Sequence, residues 1–251
     1  MILTDALFQL EQTGCRYAFY FASRGGEPFF QSNTGAQGRF LSASIIKVPI
    51  LLAWAHLERQ GLVSRTELCA LDAEPQVQGA GFSWLLHGRQ IPFADVLLMM
   101  IALSDNLCTN LVIRRIGLER LNAVFRDVLG LKETALERKL FDYDARARGL
   151  DNWVSPADCI RLYEQIDALE PAERAWVEQM LAVNQDDALL KRNVPRDTVV
   201  FRHKTGSITG VLNDWGYTDG CKIFLLTNNV PDEQEVFPIF GKLGELMIEA
   251  K

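Results

Sequence analysis

The stretch "FLSASIIKVP" (residues 40–49) places Ser44 three residues before Lys47 in otherwise apolar surroundings. Residues three apart lie on the same face of a helix, so the lysine amine would lie beside the serine hydroxyl. A serine hydroxyl is a poor nucleophile unless an adjacent base takes its proton, and this spacing supplies such a base. The same four-residue pattern also arises by chance in ordinary helices. Its meaning therefore depends on the rest of the sequence.

Two further motifs follow in order. The tripeptide S-D-N occupies residues 104–106 within "IALSDNLCTN", and K-T-G occupies residues 204–206 within "FRHKTGSITG". The ordered set S-x-x-K, S-D-N and K-T-G resembles the signature of class A β-lactamases and penicillin-binding proteins. The resemblance covers nearly the whole chain. It implies an α+β fold, in which an antiparallel sheet built from N- and C-terminal strands is flanked by helices and joined to a central all-helical subdomain.

Each motif residue has an expected role in this resemblance. Ser44 would be acylated with Lys47 as its base, and Ser104 would relay a proton to the leaving nitrogen. The residues expected to bind substrate are Asn106, Lys204, Thr205, Gly206 and Ser207. Gly206 would let the substrate backbone approach the strand edge. Backbone N–H groups of Ser44 and Ser207 would form the oxyanion hole.

Lys47 can act as a base only if its pKa is lowered by desolvation or by a second cation. Its apolar neighbours and Lys204 could supply both effects. Ser42 is a candidate N-cap of the helix, whose dipole would favour negative charge developing at Ser44. Pro49 lies several residues inside this helix and predicts a kink.

Two charged residues outside the motifs are candidates for a second anchor of a substrate carboxylate. Lys222 begins the next predicted strand, and Arg202 lies two residues before Lys204. Charged residues at strand ends are also commonly just solvated.

The resemblance breaks at the group that would release the acyl-enzyme. Class A β-lactamases carry a glutamate in a Glu-x-x-Leu-Asn pattern, two residues after an arginine. Aligning "TALERKLFDYD" on Arg138 places Leu140 at that position. Glu137 and Asp142 are the candidate substitutes, and Asp144 is a third nearby carboxylate. Each is more simply explained as a loop or surface charge that pairs with neighbouring basic residues.

Three functions stay open at this point. The first is hydrolysis of β-lactams or related amides and esters through a Ser44 acyl-enzyme. The second is a penicillin-binding D,D-peptidase-like or esterase relative with slow deacylation, because rapid deacylation needs a positioned base. The third is a non-catalytic binding module, which the intact set of motif residues disfavours.

Composition restricts the partners and cofactors. The chain has 251 residues, is 48% hydrophobic and carries a net charge of −6 with no long basic run. A small-molecule substrate is therefore expected rather than nucleic acid or an anionic membrane. The histidines have no metal-ligand spacing, so neither a metal nor a cofactor is predicted. His203, beside Lys204, is the histidine that could border a pocket.

Location and redox state follow from the termini and the cysteines. The N-terminus lacks a secretory signal, and no segment approaches the about 20 apolar residues of a membrane span. The sequence thus predicts a cytoplasmic location unless a signal peptide has been removed. The five cysteines are scattered singly, which predicts buried reduced thiols.

The order of elements predicts one domain, residues 1–251, with two parts. Residues 1–41 and 185–251 would form an α/β subdomain, and residues 42–184 a helical one. The predicted elements are a helix over residues 2–13, a hairpin from "CRYAFYFA" and "EPFFQSN", central helices, strands in "DTVVFRHKTG", "VLNDWGYTD" and "CKIFLLTNN", and a last helix "EVFPIFGKLGELMIEAK".

Overall fold

The computed structural model describes residues 2–250. Its strands are β1 (Arg16–Ser23), β2 (Phe29–Ser32), β3 (Phe40–Leu41), β4 (Leu68–Ala70), β5 (Gln90–Pro92), β6 (Ala135–Leu136), β7 (Asn152–Val154), β8 (Arg202–Ile208), β9 (Val211–Tyr217) and β10 (Cys221–Asn228). Its α-helices are α1 (Ile2–Gln12), α2 (Lys47–Arg59), α3 (Phe93–Ala102), α4 (Asn106–Ile116), α5 (Leu118–Ala123), α6 (Tyr143–Ala147), α7 (Pro156–Asp167), α8 (Pro171–Ala182), α9 (Glu233–Gly244) and α10 (Leu246–Glu249).

A five-stranded antiparallel sheet joins the two ends of the chain, in the order β2-β1-β10-β9-β8. This arrangement confirms the predicted α+β fold with a sheet built from N- and C-terminal strands. The strand predicted from "DTVVFRHKTG" begins later than expected, at Arg202. The preceding residues are still turning, since Asp197 has a φ of 60° and Thr198 donates to the Pro195 carbonyl at 3.3 Å.

Both faces of the sheet are buried, and side chains alternate between them. On β10, Phe224 and Leu226 pack towards the central helices, whereas Ile223 and Leu225 pack towards α1 and α9. Burying a side chain of this size stabilises the fold by roughly 1.5–3 kcal/mol. Because helices cover both faces, a substrate can reach the sheet only along an edge, and the edge strand β8 carries the K-T-G motif.

The sequence had predicted an all-helical central part, but this part of the chain is mainly helical and also contains short strands. It contains a three-stranded sheet, β3-β7-β6, and a two-stranded ribbon, β4-β5. These strands have two or three residues each, too few for an alternating pattern to be visible in the sequence. The β3-β7-β6 sheet matters for the site, because it fixes the chain just before Ser44 against the segment that follows residue 150. Ser42 N donates to Asn152 O at 2.8 Å.

The prediction that Pro49 kinks the helix is wrong. Residues Ala43–Ile46 form a 3-10 turn, and the α-helix begins only at Lys47, so Pro49 lies in its first turn. The N–H groups of a first turn have no helical partner, so a proline costs nothing there. Ser42 was predicted to cap this helix, but its side chain makes no capping hydrogen bond. Its hydroxyl donates to the Ala43 carbonyl at 3.2 Å.

Near the C-terminus, the predicted last helix is two helices, α9 and α10, and Lys251 lies outside the described residues. All five cysteines are buried thiols without disulfide bonds. Among residues 2–250, no helix combines the length and apolar character needed to cross a membrane.

Candidate active site

A cleft of about 510 Å³ opens at the β8 edge of the sheet. Its walls are the 3-10 turn before α2, residues 79–80, the turn between α3 and α4, the end of β8, and the segments 138–152 and 184–186. Five of the predicted site residues line it: Ser44, Ser104, Asn106, Thr205 and Ser207. Three others, Lys47, Lys204 and Gly206, are buried directly behind its walls. The structure thus brings all eight predicted catalytic and substrate-binding residues to one place.

The Lys47 amine lies at the centre of this group. Its Nζ is 2.9 Å from Ser44 Oγ, 2.7 Å from the Ser104 carbonyl oxygen, 3.0 Å from Ser104 Oγ and 3.1 Å from Asn106 Oδ1. The carbonyl oxygen and Asn106 Oδ1 can only accept, so they take the two N–H groups of a neutral amine. The nitrogen lone pair is then left for the proton of the Ser44 hydroxyl. This geometry suits Lys47 as a base.

The electrostatics favour that neutral form. Lys47 is fully buried, and desolvation, followed by the nearby Lys204 charge, holds its pKa well below the usual value for lysine. Burial also lowers the pKa of Lys204 to about 8, although the Asp186 and Asp214 carboxylates act in the opposite direction. At neutral pH, Lys204 therefore stays mostly charged, and this charge together with burial disfavours the charged form of Lys47.

The turn between α3 and α4 delivers Ser104 to this amine. Ser104 has a φ of 55°, a left-handed conformation that non-glycine residues seldom adopt and that clusters at functional sites. Asp105 holds the turn: it caps α4 by accepting from Cys108 N at 2.9 Å, and it accepts from Ser83 N at 2.9 Å and from Ser83 Oγ at 2.7 Å. Because of this turn, both the hydroxyl and the carbonyl of Ser104 face Lys47.

A glycine is required at position 206 because two backbone segments come very close together there. A Cβ at this position would lie 2.8 Å from Ser44 N, 3.0 Å from Ile45 N and 3.0 Å from the Ser42 carbonyl oxygen. The glycine therefore allows β8 to contact the backbone that precedes α2, and its role in substrate approach stays a prediction. The contact brings the backbone N–H groups of Ser44 and Ser207 to the same end of the cleft.

The wall formed by residues 184–186 contributes a carboxylate, that of Asp186, which the sequence motifs do not indicate. Thr205 Oγ1 donates to Asp186 Oδ2 at 2.7 Å, and Lys204 Nζ donates to the Thr205 carbonyl at 2.9 Å. Asn184 fixes this segment to the strand, because its Nδ2 donates to the His203 carbonyl at 3.1 Å. The segment 184–186 lacks a recognisable motif, so only the folded chain shows that it borders the cleft.

His203 does not border the cleft. It is 1% exposed, and its Nδ1 lies 3.1 Å from Oδ1 of the fully buried Asp214, whose pKa burial raises. The two candidates for a second carboxylate anchor also lie elsewhere. Lys222 pairs with Asp167 at 2.6 Å, and Arg202 pairs with Asp219 at 3.0 Å.

Neither candidate deacylating base lines the cleft. Glu137 Oε2 accepts from Asp151 N at 3.0 Å and from Trp153 Nε1 at 3.2 Å, which anchors the β6–β7 connection. Asp142 caps α6 by accepting from Ala145 N at 2.8 Å. Both carboxylates are thus held in structural contacts away from the cleft.

Leu140 lines the cleft, where the resemblance placed the missing glutamate. Its backbone is clamped to α4 by Asn110: Leu140 N donates to Asn110 Oδ1 at 2.8 Å, and Asn110 Nδ2 donates to the Leu140 carbonyl at 3.0 Å. Asn110 lies one helical turn beyond Asn106, a spacing that could have drawn attention to it in the sequence. Among residues 2–250, no three His, Cys, Asp or Glu side chains gather to hold a metal ion.

Comparisons with known proteins agree with this geometry. A profile described as the β-lactamase enzyme family matches residues 3–249. A solved β-lactamase from Sphaerobacter thermophilus DSM 20745 is 27% identical, with a TM-score of 0.85 over 98% of this chain and 95% of the other. An ancestral class A β-lactamase is 21% identical, with a TM-score of 0.85 over 100% of both chains.

A third solved structure is a mutant of PBP-A, described as an acyl-enzyme complex with penicillin G. It is 23% identical, with a TM-score of 0.83 over 99% of this chain and 95% of the other. A search of the curated proteins found no match.

Proposed function

This chain belongs to the β-lactamase enzyme family, and we propose that it acts within that family as a serine hydrolase with Ser44 as nucleophile. Its substrates are β-lactams or related small amides and esters. The observation that carries the proposal is the position of Lys47 Nζ, 2.9 Å from Ser44 Oγ and also in contact with Ser104 and Asn106.

Acylation follows from these contacts. Lys47 takes the proton of the Ser44 hydroxyl while Oγ forms a bond to the substrate carbonyl carbon. The N–H groups of Ser44 and Ser207 stabilise the negative charge that develops on the carbonyl oxygen. The carbon–nitrogen or carbon–oxygen bond then breaks. Ser104 donates its hydroxyl proton to the leaving atom and regains one from the Lys47 ammonium group, which returns the lysine to its neutral form.

Substrate binding uses the two flanks of the cleft. The Asn106 amide, whose Oδ1 accepts from Lys47, is positioned to bind the amide of an acyl side chain. Thr205 and the charge of Lys204 would hold a carboxylate near the leaving group. Lys204 is mostly protonated at neutral pH, since its pKa is about 8.

A second candidate, slow deacylation as in a penicillin-binding relative, is favoured by the carboxylates of the cleft. Two carboxylates line it, and both are engaged: Asp151 by Arg138 at 2.6 Å, and Asp186 by Thr205 at 2.7 Å. Leu140 offers no proton acceptor. A positioned base typically contributes about 10²–10⁴-fold to a proton-transfer step, so the acyl-enzyme is expected to be long-lived.

An intact-mass time course with benzylpenicillin tests both steps. We expect an adduct of one penicillin that forms on the wild type and on Ser64→Ala but is absent from Ser44→Ala. Ser64 is a suitable control because its hydroxyl bonds only locally, to Thr66 at 2.9 Å. An adduct that lasts for hours supports the slow-deacylation candidate, whereas a transient adduct with accumulating hydrolysed drug supports an efficient β-lactamase. If the Ser44→Ala variant is labelled as well, Ser44 is not the nucleophile.

A further inference from the structure

The wall of the cleft formed by residues 138–152 carries an unbalanced positive charge. Arg138 and Arg146 both line the cleft here and share one carboxylate, that of Asp151. Arg138 binds one oxygen of this carboxylate: Nε and Nη2 donate to Asp151 Oδ1 at 3.0 and 2.6 Å. Two cations against one anion leave a net charge of about +1 on this wall.

Arg146 is the cation with unused donors. Its Nε lies 3.3 Å from Asp151 Oδ2, but within residues 2–250 its guanidinium makes no hydrogen bond that meets normal geometry. The side chain is 44% exposed. A guanidinium has five N–H donors in a planar fork that matches a carboxylate. Arg146 is therefore free to bind an anion that enters the cleft.

This wall faces the acyl side of the substrate rather than the leaving group. Asn106, which would bind the acyl amide, holds the segment 78–80: its Nδ2 donates to Gln78 O at 3.2 Å, and its N donates to Ala80 O at 3.2 Å. Phe141 packs on that segment so closely that a Cβ on Gly79 would lie 2.6 Å from Phe141 Cζ. Asn106, Gly79 and Phe141 therefore form one side of the cleft.

An aromatic pair lies beside the arginine. The rings of Phe141 and Tyr143 meet edge to face at 5.7 Å, line the cleft and are 38% and 64% exposed. Phe141 has a φ of 63°, which is unusual for a bulky residue and holds its ring against Gly79. Aromatic rings prefer offset or edge-to-face contacts with a further ring, so this pair suits an aryl group.

We propose that Arg146, Phe141 and Tyr143 form a subsite for an acyl side chain that carries an aryl ring and a carboxylate. The inference rests on the proposed function, and it names the class of acyl compound that the enzyme prefers. The carboxylate would pair with the Arg146 guanidinium, and the ring would pack on Phe141 and Tyr143.

Two penicillins test this directly, because carbenicillin differs from benzylpenicillin by one carboxylate on the acyl side chain. We expect the second-order rate of Ser44 acylation to be higher for carbenicillin by roughly 1.5- to 5-fold, the range for a partly exposed charged pair. Arg146→Gln should abolish this preference and leave benzylpenicillin acylation nearly unchanged. Arg148→Gln removes the same charge from an exposed residue outside the cleft and should keep the preference.

The outcomes separate the two proposals. Acylation by both drugs at equal rates, unaffected by Arg146→Gln, overturns the subsite but leaves Ser44 as nucleophile. If neither drug acylates Ser44, the proposed function fails. Equilibrium binding of the two drugs to Ser44→Ala then still tests the subsite: a carbenicillin preference lost in Ser44→Ala/Arg146→Gln supports it, and equal binding overturns it. High salt should weaken the preference, because the pair is partly exposed.

Discussion

The charge of Lys204 should give acylation a pH dependence that only carboxylate-bearing substrates show. Burial lowers the pKa of Lys204 to about 8, so the positive charge is present below pH 8 and is lost as the pH rises through that value. A substrate held by this charge should react more slowly in alkaline solution. A matched substrate without the carboxylate should not respond to this titration.

The magnitude follows from the fraction of Lys204 that is protonated. With a pKa of about 8, this fraction is about 90% at pH 7 and about 3% at pH 9.5. The second-order acylation rate of benzylpenicillin, divided by that of its methyl ester, should therefore fall about 30-fold across this range. The second-order acylation rate refers to free enzyme and free substrate, so its pH dependence reports the pKa of Lys204 in the free enzyme.

Stopped-flow acylation of the wild type and Lys204→Met at a series of pH values would measure this ratio. The ratio cancels the titration of Lys47, since both substrates need the same base. Lys204→Met keeps a similar volume without the charge, so its ratio should be low and flat. A wild-type ratio that stays constant from pH 7 to about 9.5 would refute the assignment of Lys204 as the carboxylate anchor.

Three substitutions test other parts of the site. Leu140→Glu should shorten the lifetime of the penicillin adduct by about 100-fold or more, because it supplies the missing base; an unchanged lifetime by intact mass would contradict this. Gly206→Ala should lower the acylation rate by about 100-fold, since its Cβ meets the backbone nitrogen of the nucleophile at 2.8 Å. Gly88→Ala, where a Cβ meets nothing within 4 Å, should react like the wild type, and equal rates for both variants would argue against the contact. His203→Ala should lower the free energy of unfolding in urea by about 1–3 kcal/mol, because it removes the imidazole that contacts Asp214 Oδ1 and leaves only Leu190 N donating to Oδ2; a loss of under about 0.5 kcal/mol would mean that the contact with His203 contributes little.

The sequence was most informative where chemistry requires fixed spacing. Ser44 and Lys47 are one helical turn apart, so their contact could be predicted without the fold. The sheet was also predictable, because the strands at both ends of the chain have clear apolar patterns and turn residues between them. The position of the K-T-G strand beside Ser44 could be expected only from the family resemblance, because the two segments are far apart in the sequence.

Long-range contacts and unusual backbone conformations were not predictable. The left-handed conformation of Ser104 depends on Asp105 bonding Ser83, a residue from another segment. Asp186 reaches the cleft through a loop without a motif. Glu137 and Asp142 were candidate bases because of their positions in the sequence. In the structure, both carboxylates instead accept hydrogen bonds from neighbouring backbone N–H groups and have structural roles. Whether a carboxylate faces the cleft depends on whether nearby backbone N–H groups bind it, and residue spacing does not predict this.

The pairing of β1 with β10 also governs the order in which the molecule can assemble. Arg16 is opposite Asn228, so the residues up to Asn228 must leave the ribosome before β1 gains its second neighbour. Ser44 and Lys47 are made early, whereas the Gly206 contact that completes their surroundings is made late. Until then, β1 presents an open edge and an apolar face, which are the features that promote aggregation and slow folding. If Ser44 is the nucleophile as proposed, we therefore expect efficient acylation only after the strands β8 to β10 have been synthesised and paired.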